Sequence, residues 1–264
     1  MSLLRDFTPP AGIDYGLNRE LLNLTGLEIL DRLVEAAAAL PIGILLDCHR
    51  ITAGYGAQQT GIWTSPTYSE DDFQSDWESL ASRYSTKPGV LGADLFNEPH
   101  GQNVCWKPRP GFVSWPQVAQ KVGNAILKKA RHWLIIVEGI HYAAGEYYWW
   151  GGNLMEAWEY PISLSVSGRL VYSPHDYPKS IYPPPWFDDP NFPRNMPDIW
   201  DQYWGYLYRQ GKFPICLGEF GSRLLPNQPL DKLWAEAITS YLGKTRPRGE
   251  KQGSSWIWWS LNPE

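Results

Sequence analysis

A mostly parallel α/β fold is what this 264-residue sequence predicts, on three observations. Six short runs rich in β-branched and apolar residues begin at positions 42, 90, 133, 169, 214 and 254. They are near-continuous rather than alternating, the pattern of strands buried on both faces. Helix-patterned segments lie between them, and repeated strand–helix–strand spacing of this kind marks parallel strands joined by crossover helices. Thirdly, the runs end in polar or ionisable residues, and in barrels built this way the chemistry collects at the C-terminal strand ends. The predicted class is therefore a TIM (β/α)8 barrel.

Each element has its own signal. TGLEILDRLVEAAAA opens with Thr25 and Glu28 in capping-box spacing and precedes the first run, IGILLDCHR (42–50). SEDDFQSDWESLASRYS begins at Ser69 with an acidic first turn suited to the helix dipole, and leads into VLGADLFNEP (90–99). SWPQVAQKVGNAILKKA takes Ser114 as its N-cap, Pro116 in the first turn and Lys128 and Lys129 near the end, ahead of WLIIVEG (133–139). RLVYSPHDY (169–177) is followed by MPDIWDQYWGYLYRQG, which stops at Gly211. PICLGEFG (214–221), LDKLWAEAITSYLG and SSWIWWSLNP (254–263) complete the alternation. The strand ends carry Asp47 and His49, Asn97 and Glu98, Glu138, His175 and Tyr177, Glu219, and Trp259 and Asn262.

A closed barrel of this class needs eight strands, and six are found. Residues 1–24 hold no strand pattern and nothing follows the last run. The expectation is an incomplete barrel in which strands three to eight are present. Glu98 then falls on strand four, Glu138 on strand five and Glu219 on strand seven, opposite strand four across the barrel mouth.

Composition excludes several classes. With 43% hydrophobic and 19% charged residues and a net charge of −5, the chain is an ordinary globular protein with enough length for one sizeable core. No stretch approaches the roughly 18 apolar residues of a membrane span. No Lys/Arg run suits nucleic acid, and the acidic balance opposes a phosphate partner. The opening MSLLRDFTPP has no signal-peptide h-region. Cys48, Cys105 and Cys216 are far apart, two of them inside strand-like runs, and read as buried thiols; no metal-ligand spacing occurs. The outlier is aromatic content, with 15 Trp and 15 Tyr. Flat amphipathic rings suit the faces of sugars, and YYWWGGN (147–153) and YPPPWF (182–187) cluster them in loops.

Retaining glycoside hydrolysis needs two carboxyl groups about 5–5.5 Å apart, and Glu98, Glu138 and Glu219 qualify by position. Asn97 beside Glu98 offers an amide for a sugar 2-hydroxyl. His175 and Tyr177 are placed to donate hydrogen bonds that keep Glu219 ionised.

LFNEPH, VEG, YSPHDY, LGEFG and WIWWSLNP together resemble glycoside hydrolase family 5, above all its bacterial endo-β-1,4-glucanases; YWWGGNL, DDPNFPRNMPDIWDQYWGYL and ILLDCHR extend the likeness over essentially the whole chain. The resemblance implies Glu98 as acid/base and Glu219 as nucleophile. It implies that His49, Asn97, His175 and Tyr177 line the −1 subsite, with Trp259 as the platform under its sugar, and that Glu138 is structural. His100, Trp149, Trp150 and Trp186 are expected in the cleft. The implied substrate is a β-glucan polysaccharide or oligosaccharide, with no cofactor or metal, no nucleic-acid or membrane partner, and extracellular placement; residues 1–264 are expected to form a single catalytic domain. The family's strand-two Arg, which hydrogen-bonds the nucleophile, has no counterpart, and a Cys-Trp-x-Cys loop disulfide is matched only at Cys105 and Trp106, because position 108 is Pro. Two alternatives stay open: an inactive or sugar-binding incomplete barrel, and a mannanase or β-1,3-glucanase on the same framework.

Overall fold

The computed structural model describes residues 2–5, 10, 12–54, 56–243 and 253–260. All six expected strands are present: β1 (Ile44–Asp47), β2 (Val90–Asp94), β3 (Leu134–Glu138), β4 (Leu170–Ser173), β5 (Cys216–Phe220) and β6 (Ser255–Trp258). The principal helices are α1 (Gly26–Ala38), α2 (Glu70–Tyr84), α3 (Trp115–Lys129) and α4 (Pro229–Leu242), and 196–209 is a further helical run with a π-helical middle, Asp201–Gly205. Asn262 lies outside the described residues.

The residues group into two compact units, the first Met1–Asn97, Val118–Ile135 and Ser163–Arg169, the second Glu98–Gln117, Ile136–Ile162 and Leu170–Glu264. In the first, β1 and β2 pair in parallel, with Leu45 opposite Gly92 and Asp47 opposite Asp94. The expected capping box forms on α1, where the Glu28 main-chain N–H donates to Thr25 Oγ1 and that of Thr25 to Glu28 Oε2; Ser69 and Asp72 make the same exchange on α2, where the sequence signals only an acidic first turn. Two donors that a helix start would leave unsatisfied are thereby paired at each end. The apolar faces of these helices bury Val34, Phe73, Trp77 and Leu80 with Leu46 and Phe96, each worth about 1.5–3 kcal/mol of transfer from water. Buried Asp76 is satisfied by the Tyr68 hydroxyl at 2.9 Å and by the Arg5 guanidinium.

In the second unit β5 and β6 pair in parallel, Cys216 opposite Ser255, and β4 meets β5 through Tyr172–Ile215 and His175–Glu219. This unit's core is unusually aromatic: Trp106, Trp115, Trp200, Trp204, Trp234 and Tyr172 are fully buried. Eight of the 15 tryptophans in the chain are core residues of this kind, so much of the aromatic surplus serves packing. Ser114, the expected N-cap, directly precedes α3. It also pairs with Cys105 in a short two-residue ladder, and its hydroxyl donates to the Trp106 carbonyl. All three cysteines are free and buried, as read from the sequence. No helix among the described residues is long and apolar enough to cross a membrane.

Candidate active site

The chemistry-bearing residues of the second unit converge on the ends of β3, β4 and β5. Glu219 lies within β5, paired across the ladder with His175 just past β4. Gly218 makes this pairing close, since a Cβ there would sit 2.1 Å from Ser173 Oγ. Glu138 ends β3, and Glu98 follows the apolar run that β2 begins. Glu98 holds φ at +52°, a left-handed conformation that costs a non-glycine residue roughly 1–2 kcal/mol and that concentrates at functional sites.

His175 is the hub. Its Nδ1 lies 3.2 Å from Glu98 Oε1 and 3.5 Å from Glu219 Oε2, and its Nε2 lies 3.3 Å from Glu138 Oε1. The His175 side chain is 1% exposed, as is Glu138, against 16% for Glu98 and 10% for Glu219. Two carboxylates face solvent slightly and one is sealed. Burial is the largest influence on the His175 ring and pulls its pKa down. The charges of Glu138 and Glu219, with hydrogen bonds to Glu138 and Glu98, together outweigh it and hold the pKa well above the usual histidine value. The charged ring donates from both nitrogens, Nε2 toward Glu138 and Nδ1 toward Glu98, with Glu219 beside it.

Tyr177 donates its hydroxyl to Glu219 Oε2 at 2.6 Å. Burial, then the Glu219 charge, pushes the phenol far above its ordinary pKa, so it stays a donor. One donor atom from each of Glu98, His175 and Glu219 lies within 4.8 Å of the others. One oxygen of each carboxylate thus lies within 4.8 Å of the other, nearer the roughly 5–5.5 Å carboxyl spacing of retaining glycosidases than the roughly 6.5–9.5 Å of inverting ones. Among the described residues this is the one group near enough to hold a metal ion. With the His175 nitrogens committed to carboxylates, it reads as a hydrogen-bonded cluster.

A cleft of about 960 Å³ opens from Glu98, lined by Tyr177, Trp149, Trp150, Tyr182 and Trp186 among others. Trp149 sets its edge against Tyr177 and Tyr182. His100 stacks on Trp150 with ring centres 3.7 Å apart, and its Nδ1 lies 2.7 Å from the Glu98 carbonyl oxygen, to which it donates. Trp259 follows β6, its main-chain N–H donating to the Phe220 carbonyl, and the residue is 46% exposed. His49 and Asn97 belong to the first unit. There His49 Nδ1 lies 2.9 Å from Asp47 Oδ2, and the Asn97 main-chain N–H donates to the Cys48 carbonyl. The buried Asn97 Nδ2 has no hydrogen-bond partner among the described residues.

Sequence reading did not single out two participants. His141 lines the cleft and packs edge-on to Trp150. Asp176 is fully buried under the site, accepting from Trp234 Nε1 at 2.6 Å, Trp200 Nε1 at 3.1 Å and the Tyr148 hydroxyl. The signal for it was there: in extended chain His175 and Tyr177 point one way and the residue between them the other. Glu138, for which the resemblance implies a structural role, touches both Glu98 and His175.

Residues 7–264 match the family model described as cellulase, glycosyl hydrolase family 5. An endoglucanase of Paenibacillus polymyxa is 43% identical over 257 residues, 96% of this chain and 62% of that protein. The major extracellular endoglucanase of Xanthomonas campestris pv. campestris is 36% identical over 259 residues, 97% of this chain and 51% of that protein. The chain thus spans between half and two thirds of the length of these relatives. The structure of an endocellulase from Pyrococcus horikoshii, solved as a complex with cellotetraose, matches with a TM-score of 0.87 and 34% identity, covering 97% of this chain and 71% of that one. The (β/α)-barrel class expected from the sequence is therefore the chain's fold, and the chain belongs to the cellulases of glycosyl hydrolase family 5.

Proposed function

We propose that this chain is a single catalytic domain, residues 1–264, of a retaining endo-β-1,4-glucanase that cuts internal bonds of β-glucan chains. The observation that carries the reading is the close approach of Glu98 and Glu219, whose oxygens lie within 4.8 Å beside one shared histidine. Protonated Glu98 assists departure of the leaving sugar while ionised Glu219 attacks the anomeric carbon. Water activated by Glu98 then releases the glycosyl-enzyme intermediate. Tyr177 and His175 hold Glu219 as the anion. Trp259 is the platform under the −1 sugar. His100, Trp149, Trp150 and Trp186 receive the flanking sugars along the cleft. The names of the relatives support a cellulose-type glucan, and one named as extracellular supports action outside the cell. The reaction calls for no cofactor and no metal.

The test is Glu219→Gln in the protein, assayed for new reducing ends on a soluble cellulose derivative. Hydrolysis falls to background, and the wild-type product first appears as the β-anomer by NMR. Undiminished hydrolysis by Glu219→Gln removes Glu219 as the nucleophile.

A further inference from the structure

Glu138 makes two contacts that no surface carboxylate needs. Its Oε2 accepts the main-chain N–H of Glu98 at 2.7 Å, and its Oε1 lies 3.3 Å from His175 Nε2. Its own carbonyl is tied down by Trp115 Nε1 at 2.9 Å. The same carboxylate is covered by the loop that carries Trp149 and Trp150: the Gly139 N–H donates to the Gly151 carbonyl, and a Cβ at Gly151 would stand 2.4 Å from Glu138 Oε2 and 3.3 Å from the His175 ring. Gly151 also holds φ at +73°, so both space and backbone select glycine there.

We propose that Glu138 is a positioning residue for the reaction, fixing the Glu98 main chain with one oxygen and the His175 imidazolium with the other. This rests on the glucanase reading above. Through the Glu98 N–H it maintains the left-handed turn that aims the Glu98 side chain. Through His175 it supplies the counter-charge that keeps the ring protonated between Glu98 and Glu219. The groups that face the ring are Glu98, Glu138 and Glu219, with Tyr177 donating to Glu219. Without Glu138 one nitrogen of the ring loses its acceptor and the ring discharges at lower pH. A misplacement of about 1 Å in a reacting group is worth about 10²-fold in rate.

The test is Glu138→Gln, which keeps shape and the acceptor for the Glu98 N–H while removing the charge. Two readouts are taken on the full chain: the His175 side-chain titration by ¹⁵N NMR, and the pH profile of hydrolysis with kcat and KM separated. The expected result is a His175 titration moved to lower pH, a kcat reduced by roughly 10²-fold, and a KM changed by less than about threefold. Gly151→Ala, which presses on the same carboxylate from the loop side, is expected to move both readouts the same way and serves if Glu138→Gln fails to fold. An unmoved His175 titration, or a loss confined to KM, overturns the proposal. Because the titration needs no turnover, it reads Glu138 even if the wild-type chain fails to hydrolyse glucan, an outcome that would sink the glucanase reading alone.

Discussion

His175 and Asp176 are neighbours in the chain, both fully buried, and they are satisfied in opposite ways. His175 sits among the carboxylates of Glu98, Glu138 and Glu219. Asp176 sits among neutral donors, the indoles of Trp200 and Trp234 and the phenol of Tyr148. Extended backbone separates the two environments by turning alternate side chains to opposite faces. One face holds charge in place where bonds are to be broken. The other bolts the strand end to an aromatic core, using donors that cannot ionise near neutral pH. A buried charge paired with charge is a functional arrangement here, and a buried carboxyl group paired with dipoles is an anchor.

The largest expected effect breaks the anchor. Asp176→Ala leaves three buried donors without an acceptor, each costing about 1–3 kcal/mol. A total near 4 kcal/mol is expected, because the cavity admits some water and the rings relax. Denaturant unfolding checks it through a lower midpoint at an unchanged slope. Asp176→Asn, which keeps one acceptor oxygen, recovers part of the loss. If Asp176→Ala costs under about 1 kcal/mol, the anchor is not one.

Next comes pH, where the two neighbours act in successive windows. Burial raises the Asp176 carboxyl to about 7, against hydrogen bonds from Tyr148, Trp234 and Trp200 that lower it. The native state therefore holds a proton that the unfolded state releases near 3.8, and stability falls as pH climbs from there to about 7. His175 is also raised, by its carboxylate neighbours against burial. Its contribution is complete below 6.5 and is lost as pH rises through the folded-state value. Carboxylates such as Asp31, lowered chiefly by the Arg83 hydrogen bond, act the other way and lose their contribution as the solution is acidified. Stability measured against pH is expected to fall in two steps on the alkaline side of its acid rise. Asp176→Asn abolishes the first and His175→Gln the second; a single step insensitive to both substitutions contradicts the assignment.

The parts legible in the sequence were those set by local rules. Strand runs, the Thr25–Glu28 capping box and the strand-end positions of Glu98, Glu138, His175 and Glu219 follow from periodicity and spacing alone. What stayed hidden depended on chain segments far apart in sequence. The grip of Glu138 on Glu98 needs a left-handed turn at Glu98 and the return of the loop at Gly151. The pairing of Val113 and Ser114 with Val104 and Cys105 just ahead of α3 likewise joins segments that no local pattern links. The π-helical stretch Asp201–Gly205 has no signature in its residue types, and it carries Trp204 and Tyr203 into contact with Tyr148. Aromatic surplus pointed to sugar binding, yet local pattern did not separate core tryptophans such as Trp200 from cleft tryptophans such as Trp149.

The smallest effect sharpens what an anchor requires. Asp231, in the first turn of α4, is also fully buried, but its Oδ2 accepts from two serine hydroxyls, Ser180 and Ser222, each at 2.5 Å. Unlike the indoles on Asp176, Ser180 is exposed, so water can replace its hydroxyl when it is removed. Ser180→Ala therefore costs only the net worth of one hydrogen bond, about 0.5–1.5 kcal/mol. The ratio between this loss and that of Asp176→Ala is the informative quantity. A several-fold gap in unfolding free energy says that donors sealed from water make the anchor. Equal losses would say that any hydrogen-bonded carboxylate beneath these loops serves as well, and the contrast between His175 and Asp176 would then lie in charge alone.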